Sequence, residues 1–334
     1  MTAWVRAGAF VSILATACSS STSPITTPPT DTVETPDTAY LPGESYFGAN
    51  DYVEYIAGDL PIILGAPHGG DLEPLSLPDR TAARCGGSAT VLADRNTREV
   101  ALAVREELRD RFGGHAHVVI NHLHRVKLDA NRAIDEAACG NAAAERAWHE
   151  FQRFLDRSRG TVAQRHGRGW FIDLHGHGHE IQRLELGYLL EASDLGLDDE
   201  TLSATDDYLE ESSIQTLAAA SDRAFAELLR GETSLGALYE AHGLPAVPSP
   251  SAPDPGGGPY FTGGYNTKRH TCGDEAATVG GQAGGVICGV QIEAHYTGVR
   301  DTEENRARFA EATAEVLGTY LPMHWQIEIA PASP

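Results

Sequence analysis

The sequence predicts an α/β fold, a mostly parallel sheet with helices on both faces. Two observations carry the prediction. Apolar runs of strand length alternate along the chain with longer amphipathic stretches, and the unusual polar residues fall where the strand-like runs end. With 334 residues, 41% hydrophobic and 22% charged, the chain can bury a full core in one large domain or two small ones.

The strand-like runs are 60–66, 117–120, 170–174, 184–190 and 286–294. Residues 95–112 place Val100, Val104 and Leu108 at four-residue spacing and stop at Gly113-Gly114, as a helix with a glycine cap should. The same reasoning predicts helices over 141–158 (Trp148, Phe151, Leu155), 213–230 (Ile214, Leu217, Phe225, Leu228) and 303–320 (Phe309, Val316, Tyr320). The acids between Glu191 and Glu211 read as a solvated surface excursion. The Pro/Gly/Ser stretch 248–258 reads as a loop over the site.

At the N-terminus, Arg6 followed by the apolar run 7–17 has the layout of a secretory signal and is too short to span a bilayer. It ends in Leu14-Ala15-Thr16-Ala17-Cys18, which resembles a bacterial lipobox with Ala15 where leucine is usual. Residues 1–18 are therefore expected to be a signal peptide, with lipid on Cys18. Residues 19–42, made of Ser, Thr, Pro and acids, form a disordered tether to a single domain over 43–330. The expected location is the cell envelope, with the lipid as the only membrane contact. Cys85, Cys139, Cys272 and Cys288 remain, an even number without a CxxC pair, which suits two disulfides in an oxidising compartment and leaves their pairing open. A formal charge of −22 excludes a phosphate-neutralising face and with it a nucleic-acid partner.

The chemistry-bearing residues sit at carboxyl ends of the predicted strands, where open α/β sheets place ligands. Run 60–66 leads into Pro67-His68-Gly69-Gly70-Asp71-Leu72-Glu73, 170–174 into His175, and 286–292 into Glu293. A hydrolytic zinc site takes three protein ligands, typically two imidazoles and a carboxylate. His68, His175 and either Glu73 or Asp71 supply that set, with the paired glycines turning the chain back. His177 and His179 are read as rim residues. Glu293 ends an apolar strand, where burying a carboxylate is costly, and so suits a general base that takes the proton of an attacking water. Asp129-Ala130-Asn131-Arg132 adds a carboxylate able to orient a ligand histidine and a guanidinium suited to gripping a substrate carboxylate.

Six motifs occur in one order: Pro67-His68-Gly69-Gly70, Asp94-Arg95-Asn96-Thr97, Asp129-Ala130-Asn131-Arg132, Asp173-Leu174-His175, Phe261-Thr262-Gly263-Gly264-Tyr265 and Gln291-Ile292-Glu293. Together they resemble the N-formylglutamate amidohydrolase family over about residues 58–322. The resemblance implies the fold of the related zinc carboxypeptidases, a mixed, mostly parallel sheet sandwiched by helices, and one Zn²⁺ per chain on His68, Glu73 and His175. Glu73 is preferred to Asp71 because His-Gly-Gly-x-x-Glu is similar to the pattern of phage poly-γ-glutamate hydrolases. By the same likeness Asp129 backs His68, Asp173 has the equivalent role, Asn131 and Arg132 hold the substrate carboxylate, and Glu293 is the catalytic base. The arginine that steadies the oxyanion is Arg125, Arg80 or Arg269, and Arg269 is grouped with the substrate contacts. The implied activity is zinc-dependent hydrolysis of an amide bond beside a free carboxylate, in an acyl-glutamate or peptide. Formylglutamate hydrolysis is cytoplasmic, so the export signal points to peptides, peptidoglycan stems or γ-glutamyl polymers. The competing reading is a non-catalytic surface lipoprotein that binds a ligand or metal; loss of Glu293 or Arg132 would favour it, and both are present.

Overall fold

The computed structural model describes residues 40–272, 285–329 and 332, so the expected signal peptide and residues 19–39 of the tether lie outside the described residues. All elements below belong to one unit, Tyr40–Pro334. Its strands are β1 (Ser45–Phe47), β2 (Val53–Ile56), β3 (Ile62–Ala66), β4 (His117–Asn121), β5 (Gly169–His177), β6 (Leu184–Gly187), β7 (Ala246–Val247) and β8 (Ile287–His295). They form one sheet in the order β1-β2-β4-β3-β5-β8-β6-β7. The central run β4-β3-β5-β8 is parallel throughout, and antiparallel pairings occur only toward the edges, so the predicted mixed, mostly parallel sheet is what forms.

The described helices are α1 (Thr97–Phe112), α2 (Ile134–Ala138), α3 (Ala142–His166), α4 (Ala192–Leu195), α5 (Asp199–Ala204), α6 (Asp206–Glu211), α7 (Gln215–Ala219), α8 (Phe225–Arg230), α9 (Leu235–Ala241), α10 (Tyr265–His270) and α11 (Glu303–Trp325). None is long and apolar enough to cross a membrane. Because side chains alternate along a strand, the central strands feed two cores. Ile62, Leu64, Ile120, Trp170 and Ile172 pack with Val100, Val104 and Leu108 of α1 and Phe309 and Tyr320 of α11. Ile63, Val119 and Phe171 pack on the opposite face with Phe151, Leu155 and Val162 of α3. Helix ends follow the sequence cues. Gly113 caps α1 in the left-handed region, its N–H reaching Arg109 O at 2.8 Å, and the Asn141 side chain caps α3 by accepting from Ala143 and Ala144 N–H.

The topology fixes where a site can lie. From β3 the chain crosses on the α1 face to β4, then crosses on the α3 face to β5 on the other side of β3. The direction of winding reverses between β3 and β5, and open α/β sheets bind ligands outside the carboxyl ends at such a switch point.

Several expectations change. Strands β1, β2 and β7 are additions, and 184–190 shortens because Leu189 adopts a left-handed φ of 69° that ends the extended run. The helix expected over 213–230 is two, α7 and α8; between them Ser221 Oγ accepts from Arg223 N–H at 3.1 Å, a local turn that competes with helix continuation. The acidic stretch folds into α4, α5 and α6, with Glu191 and Asp198 as N-caps while Leu195 and Leu202 are buried. The four cysteines pair as Cys85–Cys139 and Cys272–Cys288.

Candidate metal centre

His68 follows β3 and His175 lies near the end of β5, so the switch point brings the two imidazoles together, ring centroids 4.7 Å apart. The third member is Asp94, in the loop before α1, whose N–H bonds His68 O at 3.1 Å. One oxygen of Asp94, Oδ2, lies 3.2 Å from His68 Nδ1 and 3.1 Å from His175 Nδ1, and accepts the Gly176 N–H at 3.2 Å. All three side chains are buried, and one ligand atom from each lies within 4.8 Å of the others.

The far side of each ring is also held. His68 Nε2 is 2.7 Å from Asp129 Oδ1, and His175 Nε2 is 3.2 Å from Asp173 Oδ2. A ligand histidine ordinarily donates its other N–H to a carboxylate or carbonyl, which fixes the tautomer and frees the inner nitrogen. Four donors about 2.0–2.1 Å from a zinc-sized ion stand about 3.3 Å apart. The two measured separations between donors, 3.2 and 3.1 Å, match that spacing, so His68, Asp94 and His175 fit such an ion.

The electrostatics point the same way. Burial pushes the Asp94 carboxyl up, but the adjacent His68 and His175 outweigh it and hold Asp94 well below the ordinary carboxylate range. Burial likewise raises Asp129, against the stronger pull of His68, Arg125 and Arg80, which leaves it low. For His175 burial pushes down, and Asp173, Asp94 and Glu293 together lift it well above the ordinary imidazole value. The carboxylates thus favour positive charge between the rings, and a cation competes with protons for that place.

Glu293 is fully enclosed on β8, directly beside His175 in the parallel register and opposite Glu185 of β6. Burial pushes its carboxyl up to about 8; Asp94 and Glu185 add to this, while His175 and Arg300 oppose it. Its Oε1 accepts from Gln291 Nε2 at 3.0 Å. Arg300 ties the surroundings together through the carbonyls of Ala294 (2.9 Å), His177 (3.1 Å) and Arg95. Gly176 makes room for it, since a Cβ there would lie 2.1 Å from Arg300 Cζ.

Glu73 is not in the group. After Gly70, whose absent Cβ lets the chain press against His122, residues 71–73 run alongside 122–124: Leu72 N–H bonds His122 O and His124 N–H bonds Leu72 O, both at 2.9 Å. Gly70 serves this close approach and Gly69 a close approach to Thr97 and Arg98 at the start of α1, rather than a return to His68. Glu73 ends with its side chain 56% exposed, 3.8 Å from His124 Nδ1, and Asp94 supplies the carboxylate instead. Asp71 is exposed and pairs with Arg98.

Of the expected substrate contacts, Asn131 is buried against the site, Nδ2 3.2 Å from His175 Nε2 and Oδ1 accepting the Asn266 N–H at 2.7 Å. Arg132 is exposed. Arg269 points elsewhere: Thr267 of α10 reaches Asp173 at 3.1 Å, while Arg269, two residues on, faces another side of the helix and pairs with Asp156 of α3 at 3.1 Å. Arg80 is spent on the carbonyls of Thr90, Arg125 and Glu136. Arg125 is the arginine at the site, its Nε bonding Asp129 Oδ2 at 2.9 Å and its Nη1 3.7 Å from Asp94 Oδ1.

Fold and site together describe an α/β protein with a buried His-Asp-His group at the switch point of its sheet. No family model matches the chain. No curated protein matches it either. Among solved structures it is similar to an N-formylglutamate amidohydrolase from Ralstonia eutropha JMP134, at 13% identity and a TM-score of 0.43, covering 81% of this chain and 95% of that one. It is also similar to a gene product of Agrobacterium tumefaciens, at 15% identity and a TM-score of 0.44, with the same coverage.

Proposed function

We propose that the protein is a zinc-dependent hydrolase of an amide bond adjacent to a free carboxylate. The observation that carries this reading is the convergence of His68 Nδ1 and His175 Nδ1 on Asp94 Oδ2, with both outer ring nitrogens backed by carboxylates. Such a site, when loaded, supplies a Lewis acid for the scissile carbonyl and acidifies water. His68, Asp94 and His175 would hold the ion, and Asp129 and Asp173 would fix the two rings. Glu293, beside His175, is the group to accept a proton from the attacking water and pass it to the leaving amine. Burial with Asp94 and Glu185 nearby raises its carboxyl, and the positive charge of an ion on His175 would lower it toward the ionised form that the first transfer needs. Arg125, 3.7 Å from Asp94, offers a positive charge for the developing oxyanion, and exposed Arg132 the grip on a substrate carboxylate.

The test is amine release from a panel of N-acyl-glutamates and glutamyl peptides, by chelator-stripped protein and by the same protein after zinc is restored. Turnover that returns with zinc is expected. Equal turnover in both states, or none with any substrate on the panel, would sink the reading. The two disulfides support an oxidising location, and with it the proposal that the chain is exported and anchored through Cys18.

A further inference from the structure

Beside the His-Asp-His group, the same edge of the sheet carries a second set of donors that the proposed hydrolysis leaves unused. Side chains two apart on a strand share a face. His177 therefore lies on the face that carries His175, and Glu185 of β6 joins that row through its pairing with Glu293. His179 comes from the turn between β5 and β6. One ligand atom from each of His177, His179 and Glu185 lies within 4.8 Å of the others.

Glu185 is the centre of this set and is completely buried, a placement that costs free energy unless hydrogen bonds and positive charge offset it. Its Oε2 accepts the Phe261 N–H at 2.9 Å, which leaves Oε1 toward the rings, 2.8 Å from His179 Nδ1 and 3.9 Å from His177 Nδ1. The outer nitrogen of His177 is tied to a backbone carbonyl, Arg183 O, at 2.8 Å, as in ligand histidines generally. Its inner nitrogen accepts the His179 N–H at 3.1 Å, a contact that an ion would replace. Arg183 is the competing cation: its Nε stands 3.9 Å from Glu185 Oε1, as far as His177 Nδ1 does, while its Nη2 donates to Pro259 O at 3.2 Å.

We propose that His177, His179 and Glu185 form a second binding site for a divalent transition-metal ion, separate from the His68 group. Two imidazoles and a carboxylate suit the zinc class of ions. Because its donors come from β5, β6 and the turn between them, the second ion would fasten the β5–β6 connection beside Glu293, and this inference stands without the hydrolase reading.

Cobalt(II) titration of the metal-stripped full chain, followed by its visible absorption and by elemental analysis after gel filtration, tests it. Wild type should saturate at two equivalents. His68→Ala and His179→Ala should each saturate at one, and the double variant should bind none; Glu185→Gln serves as a second probe should His179→Ala fail to fold by circular dichroism. A His179→Ala endpoint equal to wild type, or a folded His68→Ala chain that takes up no cobalt, overturns the proposal. A His179→Ala chain that binds none while His68→Ala binds one would leave this site standing and remove the His68 group.

Discussion

Asp129→Asn separates a carboxylate that orients a metal ligand from one that merely fills space. Asp129 is wholly buried, and its two oxygens have different partners. Oδ1 faces His68 Nε2 at 2.7 Å and accepts the Asn131 N–H at 3.1 Å, whereas Oδ2 faces Arg125 Nε at 2.9 Å and Arg80 at 3.7 Å. An asparagine that keeps its oxygen on the His68 side points its NH₂ at two guanidiniums, donor against donor, and the reverse orientation loses His68. Neither restores the charge. Loss of such a partner typically weakens metal binding by about 10- to 100-fold, or about 1.4–2.7 kcal/mol at 1.36 kcal/mol per decade. Removing the anion from buried Arg80 and half-buried Arg125 should also cost about 3–5 kcal/mol of stability. Zinc affinity read by competition with a chromophoric chelator, alongside urea unfolding of the metal-free chain, measures the two effects separately. Affinity within about threefold of wild type, against that 10- to 100-fold range, would show that Asp129 does not tune the ligand and would refute the reasoning.

Other perturbations follow from single residues. Glu293→Gln should keep the fold and the bound metal while kcat falls about 10²- to 10⁴-fold; a variant above about a tenth of wild-type kcat takes Glu293 out of the mechanism. Glu73→Gln, at an exposed site, should leave stability within about 0.5 kcal/mol and zinc affinity unchanged, and a loss of about tenfold or more, as removal of a ligand's support produces, would return Glu73 to the ion. His117 is buried with Nδ1 accepting from Tyr55 OH at 2.8 Å and Gly58 N–H at 3.1 Å, and burial pushes it down to about 3. The unfolded chain then binds the extra proton between pH 6.5 and 3, so stability is lost as pH falls through that window, by about 3 kcal/mol at pH 4.5. His117→Gln should lack this slope in urea titrations at pH 7 and 4.5, and parallel losses in both proteins would disprove it. Cys85→Ala with Cys139→Ala opens a loop of 54 residues and should cost about 4 kcal/mol by loop entropy; unfolding midpoints unchanged from wild type would contradict that.

What the sequence made legible follows from the range of the interaction that sets it. The five strand runs all appear because each is an apolar segment long enough to cross the sheet core, and α1, α3 and α11 appear because their apolar stripes repeat over several turns. The elements that went unseen are short. β1 and β7 have three and two residues, and their pairing depends on neighbours far along the chain rather than on their own pattern. The acids of 191–211 hid helices because capping residues carry the same letters as a solvated loop, and only the buried Leu195 and Leu202 distinguish the two.

At the site the same division holds. A strand covered on both faces should read as continuous apolar residues, yet Asp173, His175 and His177 alternate with Ile172, Leu174 and Gly176, and Gln291, Glu293 and His295 alternate with Val290, Ile292 and Ala294. Buried polar residues at period two mark a polar patch on one face of the sheet, a pattern that emerges only with the full extents of β5 and β8; what the sequence offered was the polar residue at the end of each apolar run. Cross-strand register then decides which residues meet, and no spacing encodes that His175 lies beside Glu293. The carboxylate of the His-Asp-His group is harder still. Glu73 and Asp94 both lie in loops, and a loop goes where its backbone finds partners: the Glu73 segment is drawn away by Leu72 bonding to His122, and Asp94 is drawn in by its N–H on His68 O. Both bonds join segments more than a helix apart in sequence, so a histidine at a strand end can be read from the apolar run before it, whereas a carboxylate in a loop is placed only by the packing of the finished fold.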